Sequence, residues 1–269
     1  MFEPYLHRWH LVPDGDPIET HTSSLLPVRQ AGRKAMLKLA RADEERRGGS
    51  LMAWWAGVGA APVLAHAGEA LLMERADGEQ SLSQMARAGR DEEACRILCA
   101  TAWRLHAPRR QPLPDLVPLA QIFRALEPAA RTHGGILERC AKAADLLLAT
   151  PKDIVVLHGD LHHENVLDFG DRGWLAIDPK GLHGERGFDF ANIFTNPDLS
   201  DARIPVATDP QRFARRLAVV CEAASLDRER LLLWILAWCG LSWAWFIEDG
   251  DPAPINRAVA ELAAAQLAL

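Results

Sequence analysis

Residues 157–179 read LHGDLHHENVLDFGDRGWLAIDP, a segment in which side chains of the kinds that bind metals or transfer protons stand between apolar runs. Three interpretations compete for this segment: a metal site, an acid/base site for phosphate chemistry, and a polar surface loop. The side chains concerned are His158, Asp160, His162, His163, Glu164, Asn165 and Asp178. Their spacing, together with the rest of the chain, decides among the three.

The spacing disfavours a zinc site. The segment lacks the H-E-x-x-H arrangement, which places two histidines on one face of a helix. Gly159 and the strand-like run that begins at Asn165 interrupt any continuous helix, so His158 and His162 are not expected to share a face. A surface loop is disfavoured as well, because the flanking runs DIVVLHGD and VLDF are strand-like and would bury the loop between them.

An acid/base site for phosphate chemistry accounts for more of these residues. Asp160 and Asn165 are five positions apart, as are the base and the metal-binding amide in the catalytic loop of kinases. Asp178 follows on the next predicted strand, where a kinase carries the aspartate that binds Mg²⁺ at the nucleotide phosphates. Hard oxygen ligands suit that ion. The segment therefore favours phosphoryl transfer.

Phosphoryl transfer of this kind makes a second demand, which falls on the N-terminal part of the chain. It requires a lysine on the third strand of a sheet and a carboxylate on the helix that follows. Lys38 lies in the apolar run AMLKLA, and Glu44 or Glu45 stands at the start of the next predicted helix. Each feature is weak alone, since acidic residues commonly stabilise helix N-termini. However, the strand lysine, the helix carboxylate, the Asp160/Asn165 pair and Asp178 occur in the order that a kinase requires.

The distribution of apolar residues predicts an α+β fold in two lobes. Residues 1–76 contain a predicted hairpin with its turn at 31–33, one helix and two further strands, and they form a β-rich N-terminal lobe. Residues 77–269 show helical periodicity over most of their length, with strands predicted only at 154–158, 165–168 and 173–178. A ligand is expected in the cleft between the two lobes.

Charge and composition disfavour several classes of partner, although solvated helix faces would explain the same acidic excess. Residues 1–110 carry 15 basic and 14 acidic side chains (+1), whereas residues 111–269 carry 15 and 22 (−7). This balance disfavours nucleic acid and would suit a small cationic molecule. The apolar run 231–247 is shorter than the roughly 20 residues of a membrane span, and its four tryptophans favour a buried helix. We expect a cytoplasmic protein with free cysteines and no membrane or protein partner.

Three segments of the chain resemble a known family. LHGDLHHENVL, GWLAIDPKGLHGERGFDFANIF and AMLKLA are similar to segments of the aminoglycoside phosphotransferases, particularly the streptomycin 6-kinase branch, also described as aminoglycoside/hydroxyurea resistance kinases. The resemblance extends over nearly the whole chain and is most specific in residues 157–194. It implies a protein-kinase-like fold with an N-lobe, a hinge and a helical C-lobe. It also implies ATP and Mg²⁺ as cofactors and a hydroxyl of a cationic aminoglycoside, first of all streptomycin, as the acceptor.

The resemblance assigns a role to individual residues. Asp160 would be the catalytic base, Lys38 would contact the α- and β-phosphates, and Glu45 would be the ion-pair partner of Lys38. The metal ligands would be Asn165 and Asp178. Because THTSSLLP replaces a glycine-rich loop, the phosphate contacts would be Ser23 and Ser24; the adenine contacts would be backbone groups from Glu74 to Ala76. Lys180 follows the metal ligand and would neutralise phosphate charge or pair with Glu185 or Asp189.

Guanidinium groups of a streptomycin-like substrate require carboxylates within hydrogen-bond distance. The candidates are Asp189, Glu248 and Asp249, the last two just beyond Trp243 and Trp245, whose rings could flank a guanidinium. Asp189 could instead hold the catalytic loop, and residues 248–251 could form a solvated turn. Two other functions stay open at this point: a kinase of another small alcohol such as an amino sugar or a choline-like molecule, and a nucleotide-binding pseudokinase.

Overall fold

The computed structural model describes residues 1–267, and its N-terminal part is an antiparallel sheet accompanied by two helices. Across the sheet the strands lie in the order β1, β3, β4, β6, β5, and β2 also pairs with β3. The elements of this part are α1 (Glu3–Arg8), β1 (Leu11–Pro13), β2 (Ile18–Glu19), β3 (Ser23–Gln30), β4 (Arg33–Ala40), α2 (Asp43–Trp55), β5 (Val63–Ala67) and β6 (Ala70–Glu74).

The predicted hairpin is present as strands β3 and β4. Ala31 and Gly32 form the turn, with φ values of 47° and 84°, a conformation that glycine adopts readily. Apolar side chains on alternate positions of both strands are buried, as expected when one face of a sheet packs on a core. Because β1 and β2 both pair along one edge of β3, the strand of Lys38 is fourth in the chain but third across the sheet.

Helix α2 packs close to the loop that follows strand β10 (Trp174–Ala176). A methyl group added at Gly48 would lie 2.2 Å from the carbonyl oxygen of Pro179, so only glycine fits at this position. Leu51, Met52 and Trp55 are buried on the same helix and join the main hydrophobic core. The helix therefore connects the sheet with the C-terminal part.

The C-terminal part is mainly helical, as the periodicity predicts. The chain leaves the sheet at Glu74 and enters the first of these helices at Leu82, and the predicted lobe division at 76–77 lies within this connection. The helices are α3 (Leu82–Arg87), α4 (Asp91–His106), α5 (Leu119–Ile122), α6 (Leu126–His133), α7 (Ile136–Ala149), α8 (Gly187–Ala191), α9 (Pro210–Ala224), α10 (Arg228–Glu248) and α11 (Pro254–Gln266). Short 3₁₀ helices follow α5, β9 and α8.

Two small sheets frame residues 158–165, the segment predicted from the sequence to be a catalytic loop and referred to by that name. The three predicted strands are present as β8 (Ile154–Leu157), β9 (Val166–Asp168) and β10, and β9 pairs antiparallel with β10. The sequence did not indicate β7 (Val117–Pro118) or β11 (Leu182–Glu185), which pair with each other, while β11 also pairs with β8. Both are short, and β11 contains Gly184, so neither shows a strand-like apolar alternation.

Helix α10 is the buried helix expected from the tryptophan-rich run. In length and hydropathy it could cross a membrane, yet 67% of its most apolar window is buried inside the protein. Trp234 and Trp238 are among its buried side chains, and they pack against Phe188 on α8. All five cysteines are free.

A fully buried ion pair fixes the segment that leads from α8 toward α9. The Arg216 guanidinium on α9 donates to the Asp91 carboxylate on α4 at 2.7–2.9 Å. It also donates to the carbonyl oxygens of Ile193 and Asn196 at 3.0 and 2.6 Å. Every hydrogen bond of this group is thus made inside the core, which is the condition under which a buried charge is tolerated.

We expect Arg216→Met to destabilise the protein by about 3–5 kcal/mol, because it leaves the Asp91 carboxylate buried and unpaired. Adding Asp91→Leu should restore much of this loss, since neither charge then remains. Arg257→Gln, which removes one half of an exposed pair with Glu261, is the control and should have little effect. Urea unfolding monitored by circular dichroism measures all three. A single variant Arg216→Met as stable as the wild type would contradict this account.

Candidate functional site

The catalytic loop begins where strand β8 ends, and the His158 imidazole braces it. The Asp160 amide donates to His158 Nδ1 at 3.2 Å, and His158 Nε2 donates to the carbonyl oxygen of Ile177 at 2.8 Å. Burial lowers the pKa of His158, although nearby carboxylates oppose the shift. A neutral imidazole with its proton on Nε2 satisfies both contacts, so His158 positions the loop.

Asp189 holds the same loop from the opposite side. Its Oδ2 accepts from the His158 amide and its Oδ1 from the Gly159 amide, both at 2.8 Å, and His106 Nε2 lies 2.8 Å from Oδ2. The residue is 1% exposed. The structure supports the alternative that the sequence left open, in which Asp189 holds the loop instead of binding substrate, because both of its oxygens already have buried partners.

The Asp160 carboxylate is oriented by two amide groups. Asn165 Nδ2 donates to Asp160 Oδ2 at 3.0 Å and to its carbonyl oxygen at 2.8 Å. Asn192 Nδ2 donates to Asp160 Oδ1 at 2.8 Å. The oxygen of the Asn192 amide in turn accepts from Thr195 and Asn196 at 3.3 and 3.0 Å. Asn192 was not identified from the sequence, where only its place in the segment FDFANIF, shortly after Asp189, hinted at it.

Electrostatics keep Asp160 ionised. Burial acts to raise the pKa of its carboxyl group, but His162 and Lys180 outweigh that effect and leave the pKa below its ordinary value. His162 Nε2 lies 3.7 Å from Asp160 Oδ1. An ionised carboxylate with fixed orientation is available to accept a proton.

A second cluster joins the sheet to the loop after β10. The Lys38 ammonium on β4 forms ion pairs with both Glu45 on α2 and Asp178. Thr22 Oγ1 donates to Glu45 Oε1 at 2.8 Å. Asp178 has a φ of 61°, a left-handed conformation that is uncommon outside glycine and that aspartate tolerates better than most residues. Burial acts to raise the pKa of Asp178, and Lys38 and Lys180 lower it below its ordinary value.

The loop 20–22 replaces the glycine-rich loop, and it changes the expectation for the two serines. Ser24 Oγ donates to Glu19 Oε2 at 2.7 Å, and Ser23 Oγ lies 2.9 Å from Thr20 Oγ1. Both serines are buried in β3. The predicted phosphate contacts through Ser23 and Ser24 thus disagree with the structure, in which their hydroxyls already have partners and Thr22 is the side chain that reaches Glu45.

Glu74 and Ala76 lie at the connection between the two parts of the chain. The Glu74 carboxylate pairs with Arg172 at 2.7 Å, and its amide donates to the Pro62 carbonyl at 2.9 Å. Within residues 1–267, no hydrogen bond uses the amide or carbonyl of Ala76. The backbone of Ala76 can therefore accept a ligand, whereas the amide of Glu74 is already used.

A cavity of about 410 Å³ opens beside the catalytic loop. Its lining combines charged groups with aromatic rings from α10. The charged and aromatic residues of the lining include Glu44, Asp160, His162, Lys180, Trp238 and Trp245. The Asp160 carboxylate therefore faces a space large enough for a small molecule.

Glu248 and Asp249 lie outside this lining. They are exposed at the C-terminal end of α10, just past Trp245 and Phe246, which do line the cavity. Their position is at the rim, where solvent screens a charge. Glu44, which the sequence suggested only as an alternative partner of Lys38, is the carboxylate that reaches the cavity from α2.

Asn165 and Asp178 provide the oxygen atoms that a divalent cation would need. The Ile177 amide donates to the Asn165 carbonyl at 2.9 Å, so Asn165 lies beside the residue that precedes Asp178. Because Asn165 Nδ2 donates to Asp160, the oxygen of the same side-chain amide points away from that carboxylate. Among the residues described, no group of three His, Cys, Asp or Glu side chains could hold a metal by itself. This donor set fits Mg²⁺, which binds through one or two carboxylates together with phosphates and water.

Sequence comparison relates this chain to known enzymes. Residues 8–250 match the family described as aminoglycoside/hydroxyurea antibiotic resistance kinase. The chain is 58% identical over 254 residues to a streptomycin 3''-kinase of Klebsiella pneumoniae, covering 94% of this chain and 95% of that protein. It is 35% identical over 273 residues to a streptomycin 6-kinase of Streptomyces griseus, covering 94% and 85%.

Structural comparison agrees on the fold. A thermostable mutant of the aminoglycoside phosphotransferase APH(4)-Ia, in a ternary complex with AMP-PNP and hygromycin B, superposes with a TM-score of 0.69. The similarity covers 99% of both chains at 14% sequence identity, so it shows the kinase-like fold alone. The predicted α+β fold with a small β-rich lobe and a larger helical lobe is confirmed. The family match and the two relatives together show that this chain belongs to the aminoglycoside/hydroxyurea antibiotic resistance kinases.

Proposed function

We propose that this protein transfers the γ-phosphoryl group of ATP to a hydroxyl of streptomycin, at the 3″ position. The observation that carries the proposal is the place of the Asp160 carboxylate: it faces the 410 Å³ cavity together with Lys180, and Lys180 links that cavity to Glu45 and Asp178 of the Lys38 cluster. A base between a phosphate-binding cluster and a small-molecule cavity is the arrangement that a small-molecule kinase requires.

The chemistry follows from the positions of these side chains. The acceptor hydroxyl oxygen forms a bond to the γ-phosphorus, and the bond from that phosphorus to the β,γ-bridging oxygen breaks, which releases ADP. The Asp160 carboxylate accepts the hydroxyl proton. The loose transition state of phosphoryl transfer requires mainly alignment of the hydroxyl, and Asn165 and Asn192 hold the Asp160 carboxylate in place for it.

Lys38 is proposed to bind the α- and β-phosphates, with Glu45 holding its ammonium in position. Asn165 and Asp178 would hold Mg²⁺, which neutralises charge on the phosphates when bound. The backbone at Ala76 is the proposed adenine contact. ATP use is supported by the AMP-PNP complex of the related fold.

The cavity contains groups that can bind a cationic substrate, although Lys180 in the same lining is positively charged. Asp160 and Glu44 contribute negative charge, and Trp238 and Trp245 present rings in an edge-to-face arrangement with centroids 6.1 Å apart. A guanidinium group is attracted to such rings and pairs well with carboxylates. We propose that Glu44 and Trp245 contact streptomycin.

The acceptor position is chosen from the relatives. The 58% identical protein is a streptomycin 3''-kinase, whereas the streptomycin 6-kinase is 35% identical. This difference favours the 3″ hydroxyl over the 6-hydroxyl suggested by the branch that the motifs resemble. The cytoplasmic location, and the expectation of no nucleic-acid, membrane or protein partner, stay predictions.

The proposal is tested by incubating the protein with ATP, Mg²⁺ and streptomycin and locating the new phosphate by ¹H–³¹P NMR. We expect phosphate on the 3″ oxygen. Asp160→Asn should lower kcat by more than about 100-fold, because the base is lost, and it should leave the Kd for ATP nearly unchanged. Asp145→Asn, which changes an exposed carboxylate on α7, is the control.

Phosphate at the 6-oxygen would refute the assignment of position. If streptomycin gives no phosphorylated product and an amino sugar or choline-like alcohol in the same panel does, the substrate belongs to that other class. Nucleotide binding without turnover of any acceptor would support a pseudokinase, and wild-type activity of Asp160→Asn would remove Asp160 from its role.

The metal assignment makes a separate prediction. Removing Mg²⁺ with EDTA should weaken ATP binding by the wild-type protein, and Asp178→Ala should abolish that difference, because the variant has lost one of two protein oxygen ligands. Isothermal titration calorimetry of ATP with and without Mg²⁺ measures both. An equal effect of Mg²⁺ on wild type and variant would show that Asp178 does not hold the metal.

The cavity wall predicts how substrate affinity responds to mutation. Trp245→Ala should raise the KM for streptomycin about tenfold, as expected for loss of one desolvated cation–π contact, with the KM for ATP unchanged. The double variant Glu248→Gln/Asp249→Asn is the matched control on the same helix end. It should raise the KM less than about threefold, because rim charges are screened. A larger rise in the KM for streptomycin in the double variant would show that Glu248 or Asp249 contacts the substrate.

A further inference from the structure

Lys180 lies two residues beyond Asp178, and its partners differ from those expected from the sequence. Glu185 is occupied by Arg230 and Trp234, and Asp189 by the catalytic loop. The Lys180 ammonium lies instead 3.5 Å from Glu44 Oε1, 3.6 Å from Glu45 Oε1 and 3.5 Å from Asp178 Oδ2.

These distances describe a cation that is attracted by three carboxylates and closely bonded to none of them. Charge-assisted N–H···O bonds are normally 2.7–2.9 Å long, the range that Arg216 reaches with Asp91. The Lys180 contacts are all longer by more than half an ångström. The ammonium thus retains hydrogen-bond donors for a better placed anion.

The backbone of Lys180 is held firmly in contrast to its ammonium. Its amide donates to the His158 carbonyl at 2.7 Å. The next carbonyl, that of Gly181, accepts from the Val117 amide at 2.9 Å. The stem of the side chain therefore starts from a fixed point beside the catalytic loop, and the side chain as a whole is 22% exposed.

The position of the ammonium relates the two halves of the site. Lys180 contacts Asp178, the proposed metal ligand, and it lines the same cavity as Asp160. Lys38, the other lysine of the cluster, contacts Asp178 from the side of the sheet and does not line that cavity. A phosphoryl group moving from nucleotide to acceptor must pass from Asp178 toward Asp160, which is along Lys180.

We propose that Lys180 is a further catalytic residue, whose ammonium binds the oxygens of the transferred γ-phosphoryl group, while Lys38 binds the phosphates that remain on ADP. This inference rests on the proposed phosphotransferase function. Lys180 stays protonated throughout: it donates hydrogen bonds to the phosphoryl oxygens, whose negative charge is spread in the transition state, and the hydroxyl proton still goes to Asp160.

Binding of ADP and AMP-PNP separates this role from a structural one. In the presence of Mg²⁺, Lys180→Met should weaken AMP-PNP binding about tenfold or more, as expected for loss of a hydrogen bond to a charged group, while the Kd for ADP stays within about twofold. Lys38→Met should weaken both nucleotides to a similar extent. Lys180→Arg keeps the charge and should retain most of the AMP-PNP affinity.

Titration calorimetry gives these dissociation constants without an acceptor, so the result does not depend on whether streptomycin is the substrate. Unchanged Kd values for both ADP and AMP-PNP in Lys180→Met overturn the proposal. So does an equal loss of both affinities, which is the outcome expected if Lys180 only keeps the carboxylate cluster folded. Unchanged ADP affinity in the variant shows that its nucleotide site is intact.

Discussion

The ion pairs of Lys38 join three separate segments of this protein. One ammonium group on β4 meets Glu45 on α2 and Asp178 on the loop after β10. Burying any of these charges without its partners would be costly, so the sheet, the helix and the loop are required to come together. Thr22 adds a hydrogen bond from the loop between β2 and β3. The site where the phosphates are proposed to bind is also the point at which the N-terminal part is attached to the rest.

The site also requires that the Asp160 carboxylate face the cavity in a fixed orientation and stay ionised. Asp189 meets part of this requirement, because it holds the amides of His158 and Gly159 and so fixes the path of the loop. Asn165 and Asn192 then orient Asp160 by hydrogen bonds alone. Amide donors add no charge, which leaves Asp160 ionised beside Lys180 and His162.

The local pattern of the sequence was sufficient for the fold class and for most elements. The hairpin β3–β4, helix α2 and strands β8 to β10 follow from periodicity and turn residues within short windows. Strands β7 and β11 were missed because they are only two and four residues long and pair with distant partners. For such strands, tertiary contacts outweigh local propensity.

The residues of the site differ in the same way: some follow from local sequence spacing, and others depend on contacts between distant segments. Asp160, Asn165 and Asp178 have fixed spacing in one segment, and the structure brings them together with Lys38 and Glu45. Asn192 and the hydroxyl partners of Ser23 and Ser24 depend on contacts between segments that spacing does not encode. Glu248 was proposed from its proximity in sequence to tryptophans, but it is exposed at the last position of α10 and does not line the cavity.

Helix α10 contributes two kinds of side chain to the cavity wall, and they differ in whether a substitution would also disturb Asp160. Trp238 donates to Thr195, whose hydroxyl bonds Asn192, the group that orients Asp160. A substitution at Trp238 would therefore disturb the base as well as the wall. Trp245 and Phe246 lie two turns farther along the helix, outside this chain of hydrogen bonds. In a lineage under changing antibiotic selection, the outer turns of α10 are where substrate range can diverge while the reaction itself is conserved.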